Sequence, residues 1–128
     1  MLKKIAFSML PIHDAVRARA FYEDTLGLTR GSASPEGTWT EYDLPGGGCL
    51  ALFRTDAIKP STDAGGSVAF EVEDLDKVNE RMREKGVEFK AEMIHSPVCR
   101  MSIIKDSEGN ALILHQRNRQ RNQQPEGS

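Results

Sequence analysis

The chain carries the same supersecondary plan twice, and that repeat limits its fold more than any other feature. In IHDAVRARAFYEDTLGL, Asp14 stands where a helix needs an N-cap. Ala18, Phe21, Tyr22, Thr25 and Leu26 make one mostly apolar stripe, and Gly27 supplies a left-handed stop. VEDLDKVNERMREKGV repeats this with Asp74 as cap, Leu75, Val78 and Met82 as stripe, and Gly86 as stop. Asp74 and Asp76 fall at the positive end of this helix's dipole, and Arg81, Arg83 and Lys85 at the negative end. A strand-like segment precedes each helix, IAFSMLPI and SVAFEV, and extended segments with a Gly-bearing turn follow. Asp14 and Asp74 are offset by 60 residues, Gly27 and Gly86 by 59, and Gly48 and Gly109 by 61. Anchors kept in order at a nearly constant offset mark a duplication. The expected organisation is a single domain over 1–116 made of two β-α-β-β-β units, 1–63 and 65–116, joined by the turn-rich KPSTDAGG. The polar segment 117–128 has no apolar periodicity and reads as a flexible tail.

Composition narrows the function classes. A chain of 128 residues, 38% hydrophobic and 28% charged, suits a globular domain with a real core. The net charge of −2 and the absence of a long basic run argue against a nucleic-acid partner. No apolar run has the length of a membrane span, and MLKKIAFSML is broken too early by Pro11 for a signal peptide, so a cytoplasmic location is expected. Cys49 and Cys99 lack the paired spacing of a zinc site and read as free, at least half-buried thiols.

Two stretches now carry a resemblance to a family. HDAVRARAFYEDTLGL is similar to the Asp-…-Phe-Tyr-…-Leu-Gly-Leu first helix of the vicinal oxygen chelate superfamily. KDSEGNALILHQ is similar to its Asp-Pro-(Asp/Glu)-Gly-Asn turn and last strand, with Ser107 in place of the proline. That superfamily includes glyoxalase I, methylmalonyl-CoA epimerase, extradiol dioxygenases, and the fosfomycin- and bleomycin-resistance proteins. The resemblance spans about residues 5 to 116 and implies an α+β fold. Its two β-α-β-β-β units would form a cupped, mostly antiparallel sheet with helices on the outer face, and the cup would hold the ligand.

The resemblance also implies where a metal would sit. In metal-dependent members each unit gives one ligand seven residues before the capping Asp and one four residues after the turn glycine. Those positions hold Phe7 and Leu52 in the first unit, and Ser67 and Ile113 in the second. Phenyl and aliphatic groups cannot coordinate a cation, and a neutral serine hydroxyl is a poor ligand. A register error of one residue brings in Ala6 or Ser8, Ala51 or Phe53, Gly66 or Val68, and Leu112 or Leu114, none of them better. No metal and no cofactor are therefore expected.

The remaining candidates are few. His115 lies two residues beyond Ile113, so both point to one strand face, and its imidazole can bond a ligand or move a proton near neutral pH. A partly exposed histidine at a strand end, without a role, is the plainer alternative. Met9 shares a face with Phe7, and Trp39 is the only tryptophan, suited either to stacking on a flat ligand or to the core. Glu41 and Glu71 fall in strand segments as possible acids of a metal-free mechanism. His13 reads as a surface residue and His95 as part of a loop. The expected ligand-binding set is Phe7, Met9, Trp39, Leu52, Ser67, Ile113 and His115, with His115 as the one catalytic candidate.

Three functions fit. The first is a metal-independent protein that holds an apolar or aromatic small molecule, similar to the bleomycin-resistance branch. The second is an enzyme of lyase, isomerase or dioxygenase type, either metal-free through His115 or with metal elsewhere. The third is a structural or regulatory dimer module. The resemblance implies a homodimer in each case.

Overall fold

The computed structural model describes residues 1, 5–63 and 67–118. It divides into two compact units, one of residues 1–62 with 106–110, the other of 63–105 with 111–118. The first holds β1 (Ser8–Ile12), α1 (Ala15–Ala20) continued by a π-helical turn (Phe21–Thr25), β2 (Arg30–Ala33), β3 (Trp39–Asp43) and β4 (Cys49–Arg54). The second holds β5 (Val68–Glu71), α2 (Leu75–Glu84), β6 (Phe89–His95), β7 (Cys99–Lys105) and β8 (Ala111–Arg117). Each is a β-α-β-β-β unit with its own four-stranded sheet, in the orders β1-β4-β3-β2 and β5-β8-β7-β6. The β1–β4 and β5–β8 pairs are parallel and the other pairs antiparallel, giving the mostly antiparallel α+β architecture that the family resemblance implies.

Both helices start as expected. The Asp14 side chain accepts from the Arg17 N–H and the Asp74 side chain from the Lys77 N–H. The first helix ends in a wider turn than its apolar stripe suggests, because the Leu26 N–H bonds the carbonyl of Phe21, five residues back. In this turn Phe21 and Tyr22, adjacent in sequence, are both buried.

In each unit the helix covers one sheet face, and alternation along the strands assigns the rest. Tyr22 stacks on Tyr42, and the Arg19 Nε–H donates to the Thr40 hydroxyl at 2.9 Å, so Thr40, Tyr42 and their ladder partners Leu52 and Leu50 face α1. In the second unit Asn79 Nδ2 donates to the Ser102 hydroxyl at 3.0 Å. Ser102, Ile104 and their partners Leu114 and Leu112 therefore face α2. All eight of these strand residues are buried.

The duplication extends to single hydrogen bonds. Arg19 and Asn79 occupy equivalent helix positions, and each reaches a buried hydroxyl on the third strand of its unit. Among the described residues, Arg19 Nη2 and Asn79 Oδ1 are each left buried without a partner, so this polar helix-to-sheet contact is imperfectly satisfied in both copies.

The turn 106–110, between β7 and β8 in sequence, belongs to the first unit. Buried Asp106 organises it by accepting from the N–H groups of Glu108 and Asn110 and from the Tyr22 hydroxyl at 2.7 Å. Burial and the Asp106 charge push the Tyr22 hydroxyl well above its ordinary pKa of 10.0, so it remains a donor. Asn110 Nδ2 donates to the Pro11 carbonyl, and Glu108 accepts from the His13 and Asp14 N–H groups and from Arg17. The motif DSEGN is thus a docking turn whose polar groups close on the entry to α1.

Two boundaries differ from expectation. The first unit includes this turn, and Arg117 and Asn118, read from sequence as tail, are part of the second. Arg117 closes the β7–β8 ladder opposite Cys99, and the Asn118 N–H bonds the Val98 carbonyl. The rest of the predicted tail lies outside the described residues.

Candidate functional site

The sheet face opposite the helix carries the chemically interesting groups in each unit. In the first unit this face holds Phe7, Met9, Trp39, Glu41, Ala51 and Phe53. Met9 is the ladder partner of Ala51, Glu41 is also a partner of Ala51, and Trp39 is the partner of Phe53. Phe7 stands edge-on to Trp39 with ring centroids 5.2 Å apart, and Trp39 is tilted against Phe53 at 5.9 Å. The Trp39 indole N–H donates to Glu41 Oε2 at 2.7 Å, which fixes the ring and occupies the acid. Phe7 keeps 45% of its surface exposed. Cys49 is a free thiol; burial and the nearby Glu41 and Asp43 carboxylates push its pKa up, so it is a poor nucleophile near neutrality.

In the second unit the corresponding face holds Ala69, Glu71, Met101, Ile103, Ile113 and His115. Ile113 pairs with Ala69 and Ile103, and His115 with Glu71 and Met101. Ile113 and His115 therefore share a face away from α2, as alternation predicts, and Met101 and Ile103 lie on the same one. Ser67, just before β5, is exposed. His115 Nδ1 lies 2.6 Å from Glu71 Oε1, and the Arg117 backbone N–H donates to Glu71 Oε2 at 3.0 Å. Burial works against ionisation of Glu71, but these two bonds prevail and hold its pKa below the ordinary 4.5. Glu71 is a carboxylate at neutral pH.

Leu52 is placed differently from its expected position. It is fully buried, pairs with Thr40 and Leu10, and faces α1. The cause is the choice of turn glycine. The Leu44 N–H bonds the Gly48 carbonyl and the Gly47 N–H bonds the Leu44 carbonyl; Asp106, Gly109 and Asn110 repeat both bonds 62 residues on. Gly47, at φ 104°, is therefore the counterpart of Gly109, at φ 102°, and both adopt a backbone that side chains disfavour. The ladders agree, with Ser8 opposite Leu50 as Val68 is opposite Leu112. Counting four from Gly47 gives Ala51, which lies on the far face as Ile113 does.

The four family positions then read Phe7, Ala51, Ser67 and Ile113, and these do not fit a metal: a phenyl ring, a methyl, a hydroxyl and a butyl group offer no donor set for a divalent ion. Among the described residues no three His, Cys, Asp or Glu side chains gather as a cation would require.

His95 and His13 stand apart from both faces' clusters. His95 is exposed at the end of β6, and His13 is exposed with Nδ1 3.9 Å from Asp56. Cys99 is buried and free, and its sulfur lies 3.2 Å from the Ser96 hydroxyl. Ala51 and Phe53 are far-face residues that the sequence offers only as alternatives at a register step of one. The bond pattern that identifies Gly47 would have found them, but GGG offers three glycines to choose from.

A doubled β-α-β-β-β chain with ligand-type groups on the sheet faces away from its helices defines a class, and comparison with known proteins gives that class its name. Residues 4–114 match the Glyoxalase/Bleomycin resistance protein/Dioxygenase superfamily, and the chain belongs to it. An uncharacterized protein, YetH, of Bacillus subtilis (strain 168) is 27% identical over 118 residues, covering 89% of this chain and 98% of its own. TnmS3, an antibiotic binding protein from Streptomyces sp. CB03234, superposes with a TM-score of 0.77 at 22% identity, covering 91% of this chain and 98% of its own. The fosfomycin resistance protein FosX from Listeria monocytogenes does so at 0.72 and 18% identity, covering 94% of this chain and 98% of its own. At these identities the two structures speak for the fold. Among the described residues no helix is long and apolar enough to cross a membrane.

Proposed function

We propose that this protein binds an apolar or aromatic small molecule without a metal, on the sheet faces turned away from its helices. The observation that carries this reading is the Phe7–Trp39–Phe53 cluster, three rings in contact just before β1 and on β3 and β4, with Phe7 exposed and Met9 on the same face. Such a surface suits a flat ring system, and Glu41 is already engaged with the indole. The donor-poor set Phe7, Ala51, Ser67 and Ile113 supports metal independence. The likeness to an antibiotic binding protein agrees with the reading. The contacts proposed on the first unit are Phe7, Met9, Trp39 and Phe53, with Phe53 in place of the buried Leu52, and those proposed on the second unit are Ser67, Ile113 and His115. We take the working form to be a homodimer, as is common in the superfamily. A stable interface of standard size should hold at roughly tens of micromolar protein, and sedimentation equilibrium showing monomer alone would remove that element.

The test is quenching of Trp39 fluorescence by 1-aminoanthracene, a flat apolar probe. Saturable quenching, weakened in Phe7→Ala and Phe53→Ala and indifferent to chelator, is the expected result. An enzyme of the same superfamily is the competing reading. Absent quenching, together with metal-dependent turnover of the methylglyoxal–glutathione hemithioacetal, would establish it instead.

A further inference from the structure

We propose that Glu71 and His115 form an acceptor site for an acidic hydroxyl of the ligand, a phenol or an enol, which the pair holds in ionised form. This deepens the binding reading above and rests on it. A carboxylate only accepts, so the 2.6 Å contact with Glu71 Oε1 places the ring hydrogen on His115 Nδ1. Glu71 is itself held, because its second oxygen accepts the Arg117 N–H and its strand is in register with β8 at this pair. The imidazole is therefore fixed in tautomer and in direction. Nε2 is left with a lone pair, and among the described residues it has no hydrogen-bond partner. The side chain is 24% exposed, on the face that carries Ile113 and Met101. The charged groups around it are Glu71 from β5 and Arg117 along β8, whereas β7 brings the uncharged Met101.

A ligand hydroxyl that meets Nε2 transfers its proton there. The O–H bond breaks, an N–H bond forms, and the electron pair stays on the ligand oxygen, which then accepts from the new Nε2–H. The imidazolium faces the Glu71 carboxylate, so the complex holds alternating charges. Transfer requires a hydroxyl whose pKa approaches that of histidine, about 6.5 in the free side chain, which selects phenols and enols over alcohols. A ligand that is already a carboxylate behaves differently, since it needs the imidazolium beforehand and binds more tightly as pH falls.

The probes are 4-nitrophenol and its methyl ether 4-nitroanisole, which differ by the acidic proton, with benzoate as the carboxylate. The wild-type protein should bind 4-nitrophenol roughly tenfold more tightly than 4-nitroanisole, the gain of a charge-assisted hydrogen bond. The bound probe should show the phenolate absorption band at a pH where free probe is protonated. His115→Gln should remove both effects, judged by the ratio of the two affinities. Glu71→Gln keeps the imidazole but should return the bound probe's ionisation to higher pH, the signature of a positioning residue. Equal affinities with no phenolate band would overturn the acceptor site while the 1-aminoanthracene assay could still uphold aromatic binding. Benzoate bound in preference, more tightly at lower pH, would also overturn it. Phenolate binding without 1-aminoanthracene quenching would keep the acceptor site and refute the apolar reading, and failure of every probe refutes both.

Discussion

Replacing Glu108 by alanine should destabilise the first unit by about 2–4 kcal/mol. The Glu108 side chain is fully shielded from solvent and accepts the His13 N–H at 2.8 Å, the Asp14 N–H at 2.9 Å and the Arg17 Nε–H at 2.5 Å. The two backbone donors would lose a charged acceptor, at about 1–3 kcal/mol each, reduced because His13 and Asp14 are exposed enough for water to substitute. Arg17 is 56% exposed, so its ion pair adds no more than about 1 kcal/mol. Urea unfolding followed by Trp39 fluorescence reads this directly, since Trp39 lies in the same unit as the turn. The effect should depend on pH. Burial raises the Glu108 pKa, but Arg17 and the two N–H groups outweigh it and leave the value below the ordinary 4.5. A carboxylate lowered on folding contributes stability that is fully present above its unfolded pKa and is lost as pH falls through its folded pKa. The gap between wild type and Glu108→Ala should therefore be widest near neutrality and narrow as pH drops below about 4.5. A loss under about 0.5 kcal/mol, or a gap that stays constant through acid, would refute the role assigned to this turn.

Leu112→Ala and Leu114→Ala should each cost about 2–5 kcal/mol in urea or thermal unfolding, because both are buried against α2, whereas His115→Ala, which loses one bond to the half-exposed Glu71 carboxylate, should cost no more than about 1 kcal/mol. Leu52→Ala should behave like the two core leucines and leave the affinity for 1-aminoanthracene intact, which tests the one-residue register shift in the first unit. Purified protein should contain no stoichiometric zinc, nickel, iron or manganese by elemental analysis, and chelator should leave its melting temperature unchanged; one tightly held equivalent with a melting shift would overturn the reading of the four family positions.

Helix caps were legible in the sequence because they act locally. Asp14 and Asp74 each bond a backbone N–H three residues on, so their meaning is complete within one turn. The last strand was legible for a related reason. Asn110, read after Gly109, leaves one glycine as the turn's anchor, and the alternation of Leu112, Ile113, Leu114 and His115 then follows from the pleat. The fourth strand was not, because Gly46, Gly47 and Gly48 are interchangeable to a reader of composition and a step of one residue carries every side chain to the other face. The hydrogen bonds of Leu44 with Gly47 and Gly48 resolve that step, and they depend on chain geometry that no residue type records. The Glu71–His115 pair was hidden for a further reason. Its members are 44 residues apart, and their contact exists only because a parallel ladder sets β5 against β8 in one register. Histidine and glutamate could each be placed on a strand face from local alternation, but whether they meet depends on the neighbour and its register. The same register makes the inference testable from the fold's side. If His115 and Glu71 are true ladder partners, Glu71→Gln must move the His115 Nδ1–H resonance in nuclear magnetic resonance; a resonance identical to wild type would separate the two residues and leave His115 without its orienting carboxylate.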